Sequence, residues 1–208
     1  MKTIQKVLTF LLGTMVFMTA NAEGDPVRGQ EKSAVCVACH STDGNSAMPE
    51  WPKIAGQHEV YLLKQLHDFR KGDQGSRNNA IMYGIVGQMT DKDLADLAAY
   101  YSQQKMSSSE ADPAYVELGR QIYHGGLLEK GVTACAACHS PGGEGNKLTR
   151  FPKVSGQWSK YLSDQLIAFR DGVRTNGAMM VDIAQRMSEE EMMAVSSYMA
   201  GLQDGASE

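Results

Sequence analysis

The feature that most constrains this chain is a five-residue pattern, Cys-x-x-Cys-His, which occurs twice and uses all 4 cysteines. The two copies occupy positions 36–40 and 135–139. In this pattern, the two thiols can form thioethers with the vinyl groups of a porphyrin, and the next residue can ligate the iron. The sequence therefore predicts two covalently attached haem c groups, with the fold built around them. The predicted attachment residues are Cys36, Cys39, Cys135 and Cys138.

Three other uses of paired cysteines agree less well with the pattern. A disulfide framework is typical of cysteine-rich chains, whereas only 4 of these 208 residues are cysteine. A zinc site or a pair of thioredoxin-like redox motifs gives no reason for histidine to follow the second cysteine both times. We therefore favour haem, and we predict that His40 and His139 are the first axial ligands of the two irons.

The first 22 residues have the features of a cleavable export signal. Lys2 and Lys6 precede an apolar run at 7–20, which closes with Ala20-Asn21-Ala22, an A-x-A cleavage pattern. The run is about 14 residues long, whereas a membrane-spanning helix needs about 20. The sequence predicts a signal peptide at 1–22 and a periplasmic protein that has no transmembrane anchor after cleavage.

The charge of the chain argues against one class of partner. The formal net charge is −4, and loss of the two lysines of the signal peptide takes it to −6. Nucleic-acid binding needs a basic surface, so we expect no nucleic-acid partner. The negative charge permits docking to a basic surface of a partner protein. Peripheral membrane association stays open, although no basic amphipathic helix suggests it.

Past the signal peptide, the sequence repeats at about 100 residues. The segment 51–57, Trp-Pro-Lys-Ile-Ala-Gly-Gln, returns at 151–157 as Phe-Pro-Lys-Val-Ser-Gly-Gln. Solenoid repeats are much shorter, whereas a single domain commonly has about this length. The sequence therefore predicts two duplicated domains in tandem, joined by a polar, serine-rich linker. The predicted bounds are 23–105 for the first domain, 106–112 for the linker and 113–208 for the second domain.

Helix signals dominate both halves, and sustained alternation of apolar and polar residues is missing, so the predicted fold class is all-α. Asp25-Pro26 and Asp112-Pro113 each place an N-cap acid before a proline, which predicts the first helix of each domain. Thr90 and Ser188 are the predicted N-caps of the last helices.

A further helix is predicted at 59–71 and again at 159–171. Each copy ends before a glycine, Gly72 or Gly172, which can adopt the left-handed conformation of a helix C-terminus.

The second iron ligand requires a comparison of the two halves, because a ligand needed by both should occur in both. The remaining histidines are His58, His67 and His124, and none of them has a histidine at the corresponding position of the other half. We therefore interpret these three as solvated surface residues.

Methionine is the alternative ligand, since a thioether is a common partner of histidine at a haem c iron. Aligning the last helices superposes Met82 on Met180 and Met89 on Met187. Met89 and Met187 directly precede a helix N-cap and are expected to pack in the core. Met82 and Met180 lie in what we predict to be a loop before that helix, and we predict that they are the second axial ligands. Met179 is the alternative at the second site, although the first half has isoleucine at the matching position.

A backbone acceptor is also predicted for each ligating histidine. Pro52 and Pro152 follow His40 and His139 by 12 and 13 residues, within the repeated aromatic-Pro-Lys segment. A ligating imidazole usually donates its second N–H to a fixed acceptor, and a proline carbonyl could serve. The other interpretation is an ordinary loop proline.

These motifs together resemble the dihaem cytochrome c4 family over essentially the whole mature chain. The resemblance is carried by Pro-Lys-x-x-Gly-Gln after each haem motif, by the repeated Tyr-Leu-x-x-Gln-Leu, and by Asp-Leu-Ala-Asp-Leu-Ala-Ala-Tyr at 93–100. It implies two class I cytochrome c domains related by a pseudo-twofold axis, with the haem propionate edges facing each other. It also implies His/Met ligation of both irons, with Met82 and Met180 at the family's axial positions.

The resemblance further implies a function. Such proteins are electron carriers of the periplasm, between a quinol-oxidising complex of the bc1 type as donor and a terminal oxidase as acceptor, and they are not enzymes. The main alternative is a dihaem peroxidase, which needs one iron open to peroxide, and the duplicated methionines argue against it. A third interpretation is a soluble subunit bound to a dehydrogenase or oxidase.

Overall fold

The computed structural model of the protein describes residues 24–203. Within this range the chain forms helices joined by turns, and the extended pairings are isolated β-bridges. The predicted all-α fold is therefore confirmed. No helix between residues 24 and 203 is both long and apolar enough to cross a bilayer. The predicted signal peptide at 1–22 lies outside the described residues.

The first half of the described chain is built on the helix α5, which packs against α1 and α3. The α-helices of this half are α1 (Pro26–Lys32), α2 (Val37–His40), α3 (Glu59–Arg70), α4 (Ala80–Val86) and α5 (Asp91–Ser102). Single 3-10 turns at Ser33–Val35 and Gly72–Gln74 follow α1 and α3. The core residues Leu62, Leu97, Ala98 and Tyr101 come from α3 and α5, and Cys36 packs against them.

The second half repeats this order. Its α-helices are α6 (Val116–Gly125), α7 (Ala136–His139), α8 (Ser159–Arg170), α9 (Ala178–Ala184) and α10 (Glu189–Gly201), with a 3-10 turn at Leu128–Lys130. The last helix, α10, packs against α6 and α8, as α5 does against α1 and α3. The predicted pair of duplicated domains is thus confirmed, while the exact boundaries at 105, 106–112 and 113 remain predictions.

The first and last helices of each half cross closely at a glycine. A Cβ atom on Gly29 of α1 would collide with the carbonyl oxygen of Asp96 in α5. A Cβ atom on Gly119 of α6 would collide in the same way with the carbonyl oxygen of Ala194 in α10. The two crossings therefore require glycine because of close backbone approach.

Most of the predicted helix ends are present. Asp25 caps α1 with its side chain, and Thr90 and Ser188 form complete capping boxes with Asp93 and Glu191. The helices α3 and α8 end one residue earlier than predicted, and the following Gly72 and Gly172 have φ angles of 59° and 72°.

The predicted start of the second domain's first helix is wrong by three residues. The helix α6 begins at Val116 and not at Pro113. The side chain of Asp112 accepts a hydrogen bond from the Ala114 N–H (2.9 Å), and its carbonyl accepts one from the Tyr115 N–H (2.9 Å). Asp112 therefore closes a turn that precedes the helix, as aspartate often does.

The connection between the halves is fixed by a buried lysine of the first half. The ammonium group of Lys53 donates to the carbonyl oxygens of Ser107 (2.9 Å) and Ser108 (3.1 Å) and to Ser109 Oγ (2.7 Å), all in the predicted linker. It also donates to the carbonyl oxygen of Gly156 in the second half (3.0 Å). Burial lowers the pKa of Lys53, and these four oxygens replace the water that the charge has lost.

Candidate haem-binding site

The two cysteine motifs form single helical turns. In each motif, the helix α2 or α7 starts directly after the first cysteine and ends at the histidine. No disulfide joins the four cysteines within residues 24–203, and all four are partly exposed. Burial raises the pKa of Cys36, and it raises the pKa of Cys135 to about 11. These two thiols are therefore protonated at neutral pH, and thioether formation adds such an S–H across a vinyl double bond.

Within the described residues, these cysteines do not cluster with other side chains that could bind a metal ion. Between residues 24 and 203, no three His, Cys, Asp or Glu side chains converge as they would around a zinc ion. The two motifs instead form separate sites, one in each half.

The histidines of both motifs are buried and held in the same way. His40 Nδ1 lies 2.9 Å from the carbonyl oxygen of Pro52, and His139 Nδ1 lies 2.8 Å from that of Pro152. A carbonyl oxygen can only accept, so each Nδ1 carries the hydrogen and each Nε2 keeps its lone pair. Burial lowers the pKa of both imidazoles, although the bond to proline opposes this effect. Both are therefore neutral at pH 7, which is the form that ligates iron.

The two prolines thus make the contacts that the sequence analysis predicts for them. They are held by a shared loop geometry, because the N–H of Ile54 donates to the carbonyl oxygen of Gly44 and that of Val154 donates to Gly143 (2.8 Å each).

The methionines predicted as ligands lie in short helices, which corrects the predicted loop. Met82 is in the first turn of α4, where the side chain of Asn79 accepts from its N–H (2.9 Å). Met180 is in the first turn of α9 and packs against the core of the second half. An asparagine cap starts α4, but Gly177 starts α9 without a side-chain cap, so the helix signal in the sequence is weak.

Burial distinguishes Met180 from Met179, the alternative ligand at the second site. Met82 and Met180 are partly buried, whereas Met179 is exposed. Met89 packs against the first core, and Met187 is a buried member of the second core, as expected for packing residues.

The other three histidines differ in their surroundings. Only His124 is exposed, as predicted, and its Nε2 lies 3.0 Å from the hydroxyl of Tyr198. His67 is partly buried beside Arg70. His58 is also partly buried, and its Nε2 has no hydrogen-bond partner among residues 24–203. The surface interpretation is therefore wrong for His58, whereas the side chain of His67 is 34% exposed and agrees with it.

Two buried arginines face each other between the halves, and neither is among the site residues predicted from the sequence. Arg77 and Arg174 are each only 7% exposed, and their backbones form an isolated β-bridge. Arg77 Nη2 donates to the hydroxyl of Tyr161 (2.7 Å), and Arg174 Nη2 donates to the hydroxyl of Tyr61 (2.9 Å), so each bond joins one half to the other.

Among residues 24–203, neither of these arginines forms an ion pair with an acidic side chain. Their remaining hydrogen bonds within the described chain go to neutral amide oxygens, which belong to Gln65, Gln165 and Asn176. Burial lowers the pKa of Arg77. Burial raises the pKa of Tyr61, but the charges of Arg174, Arg77 and Lys64, together with the bond from Arg174, lower it below its ordinary value. A buried cation is costly unless an anion compensates it. The pair therefore fits a carboxylate ligand, and each haem carries two propionates.

A sequence signal for this pair existed. Arg77-Asn78 and Arg174-Thr175-Asn176 each follow the glycine that ends a helix, Gly72 or Gly172, within a few residues. The two spacings differ, so a search with a fixed repeat offset misses the match.

Comparisons with known proteins agree with this geometry. The profile of the cytochrome c family matches residues 26–105 and 116–203. The chain is 46% identical over 205 residues to cytochrome c4 of Azotobacter vinelandii, which covers 94% of this chain and 98% of the relative. It is 34% identical over 175 residues to a thiosulfate dehydrogenase electron acceptor of Thiomonas intermedia, which covers 81% of this chain and 79% of the relative.

A solved structure shows the same fold. The crystal structure of reduced recombinant cytochrome c4 from Pseudomonas stutzeri matches with a TM-score of 0.84 at 45% identity. The match covers 86% of this chain and 100% of that chain, so it includes both halves and their relative placement.

Proposed function

Because this chain belongs to the cytochrome c family, and within it to the dihaem cytochrome c4 proteins, we propose that it carries electrons in the periplasm through two His/Met-ligated irons. Family membership already makes it a dihaem electron-transfer protein with two covalent haem c groups. The ligand sets, the compartment and the partners are the finer parts of the proposal.

The single observation that carries the ligand assignment is the duplicated histidine geometry. In both halves, a neutral imidazole is held through Nδ1 by a proline carbonyl, so that Nε2 is the ligating nitrogen. The matching methionines, Met82 and Met180, are the proposed second ligands, because they are partly buried at corresponding positions. When bound, each haem supplies an iron that alternates between the ferric and ferrous states, and a complete His/Met set leaves it no open position.

The buried arginine pair supports binding of the haem propionates at the interface between the halves. We propose that Arg77 and Arg174 hold propionate groups there, assisted by the hydroxyl groups of Tyr61 and Tyr161. Charge-assisted bonds from a planar guanidinium to a carboxylate are strong and directional. Both arginines also stack on a phenylalanine at 4.3 Å, Arg77 on Phe69 and Arg174 on its counterpart in the second half, which fixes their planes.

The sequence features and the family support the proposed compartment and partners. The predicted signal at 1–22 supports export to the periplasm. A quinol-oxidising complex is the proposed donor, and a terminal oxidase is the proposed acceptor. A carrier must leave its partner after each transfer, so we expect a small and short-lived interface.

A second donor is worth testing because one relative is named as the electron acceptor of thiosulfate dehydrogenase. Under this alternative, the same two haems accept electrons from a dehydrogenase. Stopped-flow reduction of the oxidised protein by a purified thiosulfate dehydrogenase with thiosulfate, compared with reduction by a bc1-type complex with quinol, separates the two donors by rate. Size-exclusion chromatography of the native periplasm distinguishes a free carrier from a bound subunit.

The ligand assignment is tested by the far-red absorption of the oxidised holoprotein, where methionine-to-ferric charge transfer appears. We expect an intensity equal to two methionine-ligated haems per chain. Half that intensity, together with cyanide binding to one iron and turnover of peroxide, would favour the peroxidase alternative.

A further inference from the structure

A glutamine in each half reaches across to the backbone of the other half. Gln57 and Gln157 end the repeated segments, and their residues are only 5% and 4% exposed. Gln57 Oε1 accepts from the Lys153 N–H (2.9 Å), and its Nε2 donates to the Lys153 carbonyl (2.8 Å). Gln157 makes the same two bonds to Lys53, at 2.9 and 2.7 Å. We name these two reciprocal contacts the glutamine clasps.

The orientation of each amide is fixed by a third bond. Gln57 Oε1 also accepts from the N–H of His58, and Gln157 Oε1 accepts from the N–H of Trp158, both at 3.0 Å. Two backbone N–H groups thus face each side-chain oxygen. A flipped amide would place its NH₂ group against these donors, so only the observed orientation satisfies them.

Each clasp acts on the peptide group that supports a histidine. The carbonyl oxygen of the Pro52–Lys53 peptide accepts from His40 Nδ1 (2.9 Å), and the N–H of this same peptide donates to Gln157 Oε1 (2.9 Å). The Pro152–Lys153 peptide links His139 (2.8 Å) to Gln57 (2.9 Å) in the same way. The support of each histidine is therefore completed by the opposite half.

Hydrogen bonds in such a chain polarise one another. An amide whose N–H donates to an acceptor carries more negative charge on its carbonyl oxygen, and so it accepts more strongly at that end. A stronger acceptor at Nδ1 makes the imidazole a more electron-rich ligand. An electron-rich ligand stabilises ferric iron more than ferrous iron, which lowers the reduction potential.

We propose that Gln57 and Gln157 are positioning residues that tune the haem of the opposite half, Gln57 through His139 and Gln157 through His40. The proposal rests on the proposed function, because it takes both histidines as axial ligands. It also assigns a reason to the repeated Pro-Lys-x-x-Gly-Gln motif, in which the proline supports its own histidine and the glutamine supports the other one.

The test uses the holoprotein with Gln57→Leu or Gln157→Leu, which remove both polar atoms of one clasp. Gln57→Leu should raise the midpoint potential of the second haem and leave the first unchanged, and Gln157→Leu should do the reverse. The equilibrium constant for electron exchange between the haems should therefore move in opposite directions, by up to about tenfold, which corresponds to 59 mV for one electron. In the reduced protein, the Nδ1–H resonance of the affected histidine should move upfield.

Trp158→Phe is the matched control. It removes another bond between the halves, from Trp158 Nε1 to Ser46 Oγ (2.8 Å). It keeps an aromatic ring under the Lys53 ammonium, which lies 4.2 Å from the Trp158 ring, and it keeps the backbone N–H of residue 158 that donates to Gln157 Oε1. We expect this variant to leave the midpoint potential of the haem in the opposite half unchanged. If a leucine variant does not fold, Gln57→Glu keeps an acceptor for the Lys153 N–H and adds negative charge, so it should lower the potential of the second haem.

A merely structural role for the clasps has a different signature. Leucine variants that shift both potentials equally, only the haem of their own half, or neither would overturn the proposal. Failure of the proposed function is recognised separately, because the unmodified protein would then lack the far-red signal of two methionine-ligated haems.

Discussion

Replacement of Asp96 by asparagine should remove a pH-dependent part of the stability of the first half. The side chain of Asp96 is 1% exposed and accepts from the Asp25 N–H (2.7 Å) and from Arg28 Nε (2.9 Å). The bond from Arg28 is the largest cause that lowers its pKa, which falls from 3.8 to about 2. The second half has Ala194 at the matching position.

The magnitude follows from linkage between protonation and folding. A pKa change of one unit corresponds to about 1.4 kcal/mol, so the shift amounts to about 2 kcal/mol. Because the side chain of Arg28 is 42% exposed and screened by solvent, we expect about 1 to 2 kcal/mol. The folded-state pKa is depressed, so this stability is fully present above pH of about 4 and is lost as the pH falls through about 2.

Urea unfolding of the holoprotein, followed by circular dichroism at several pH values, measures this effect. At pH 7, Asp96→Asn should lower the free energy of unfolding of the first half, and the difference from the unmodified protein should shrink between pH 4 and 2.5. Asp164→Asn, in the exposed ion pair with Lys160 (2.8 Å), is the control, with an expected loss of about 0.3 to 0.5 kcal/mol. Equal acid sensitivity of the Asp96→Asn and unmodified proteins would refute the reasoning.

Three further outcomes are expected. Met82→Ala should halve the far-red absorption band, lower the reduction potential of the first haem alone and open its iron to cyanide. Absorption spectroscopy and redox titration measure these effects. An unchanged far-red band would show that Met82 is not the ligand. Arg77→Gln removes a buried cation, so the reduction potential of at least one haem should fall. In spectroelectrochemical titration, this potential should also depend more steeply on pH near neutrality. Two unshifted potentials would argue against propionate binding by Arg77. Gly119→Ala should lower the free energy of unfolding in urea by about 1 to 3 kcal/mol, because its Cβ would meet the backbone of α10. Gly84→Ala is the control, since a Cβ there has nothing within 4 Å, and it should be neutral or stabilising. Equal effects of the two substitutions would contradict the close crossing of α6 and α10.

The sequence was sufficient for features that depend on short, local spacing. The histidine-to-proline contacts, the capping boxes at Thr90 and Ser188 and the order of the main helices all follow from residues close in the chain. The short helices that contain Met82 and Met180 were missed because seven residues give little periodicity, and Gly177 is a weak start signal.

Contacts between the halves were beyond sequence reasoning. The approach of Arg77 to Tyr161 and of Gln57 to Lys153 depends on how two finished domains are oriented. The repeat shows that both halves contain the same residues, but it does not say that a side chain of one half meets the backbone of the other. The resemblance to a family implied a pseudo-twofold arrangement without identifying the residues that form it.

The burial of Lys53 has a consequence for anyone who re-engineers the connection between the halves. Three of its four acceptors belong to serines at 107–109. This segment therefore both connects the halves and solvates the ammonium charge of Lys53, which follows Pro52 in the chain. A longer, flexible insert would change the electrostatic surroundings of His40 together with the separation of the irons, so linker length is not an independent variable in this protein.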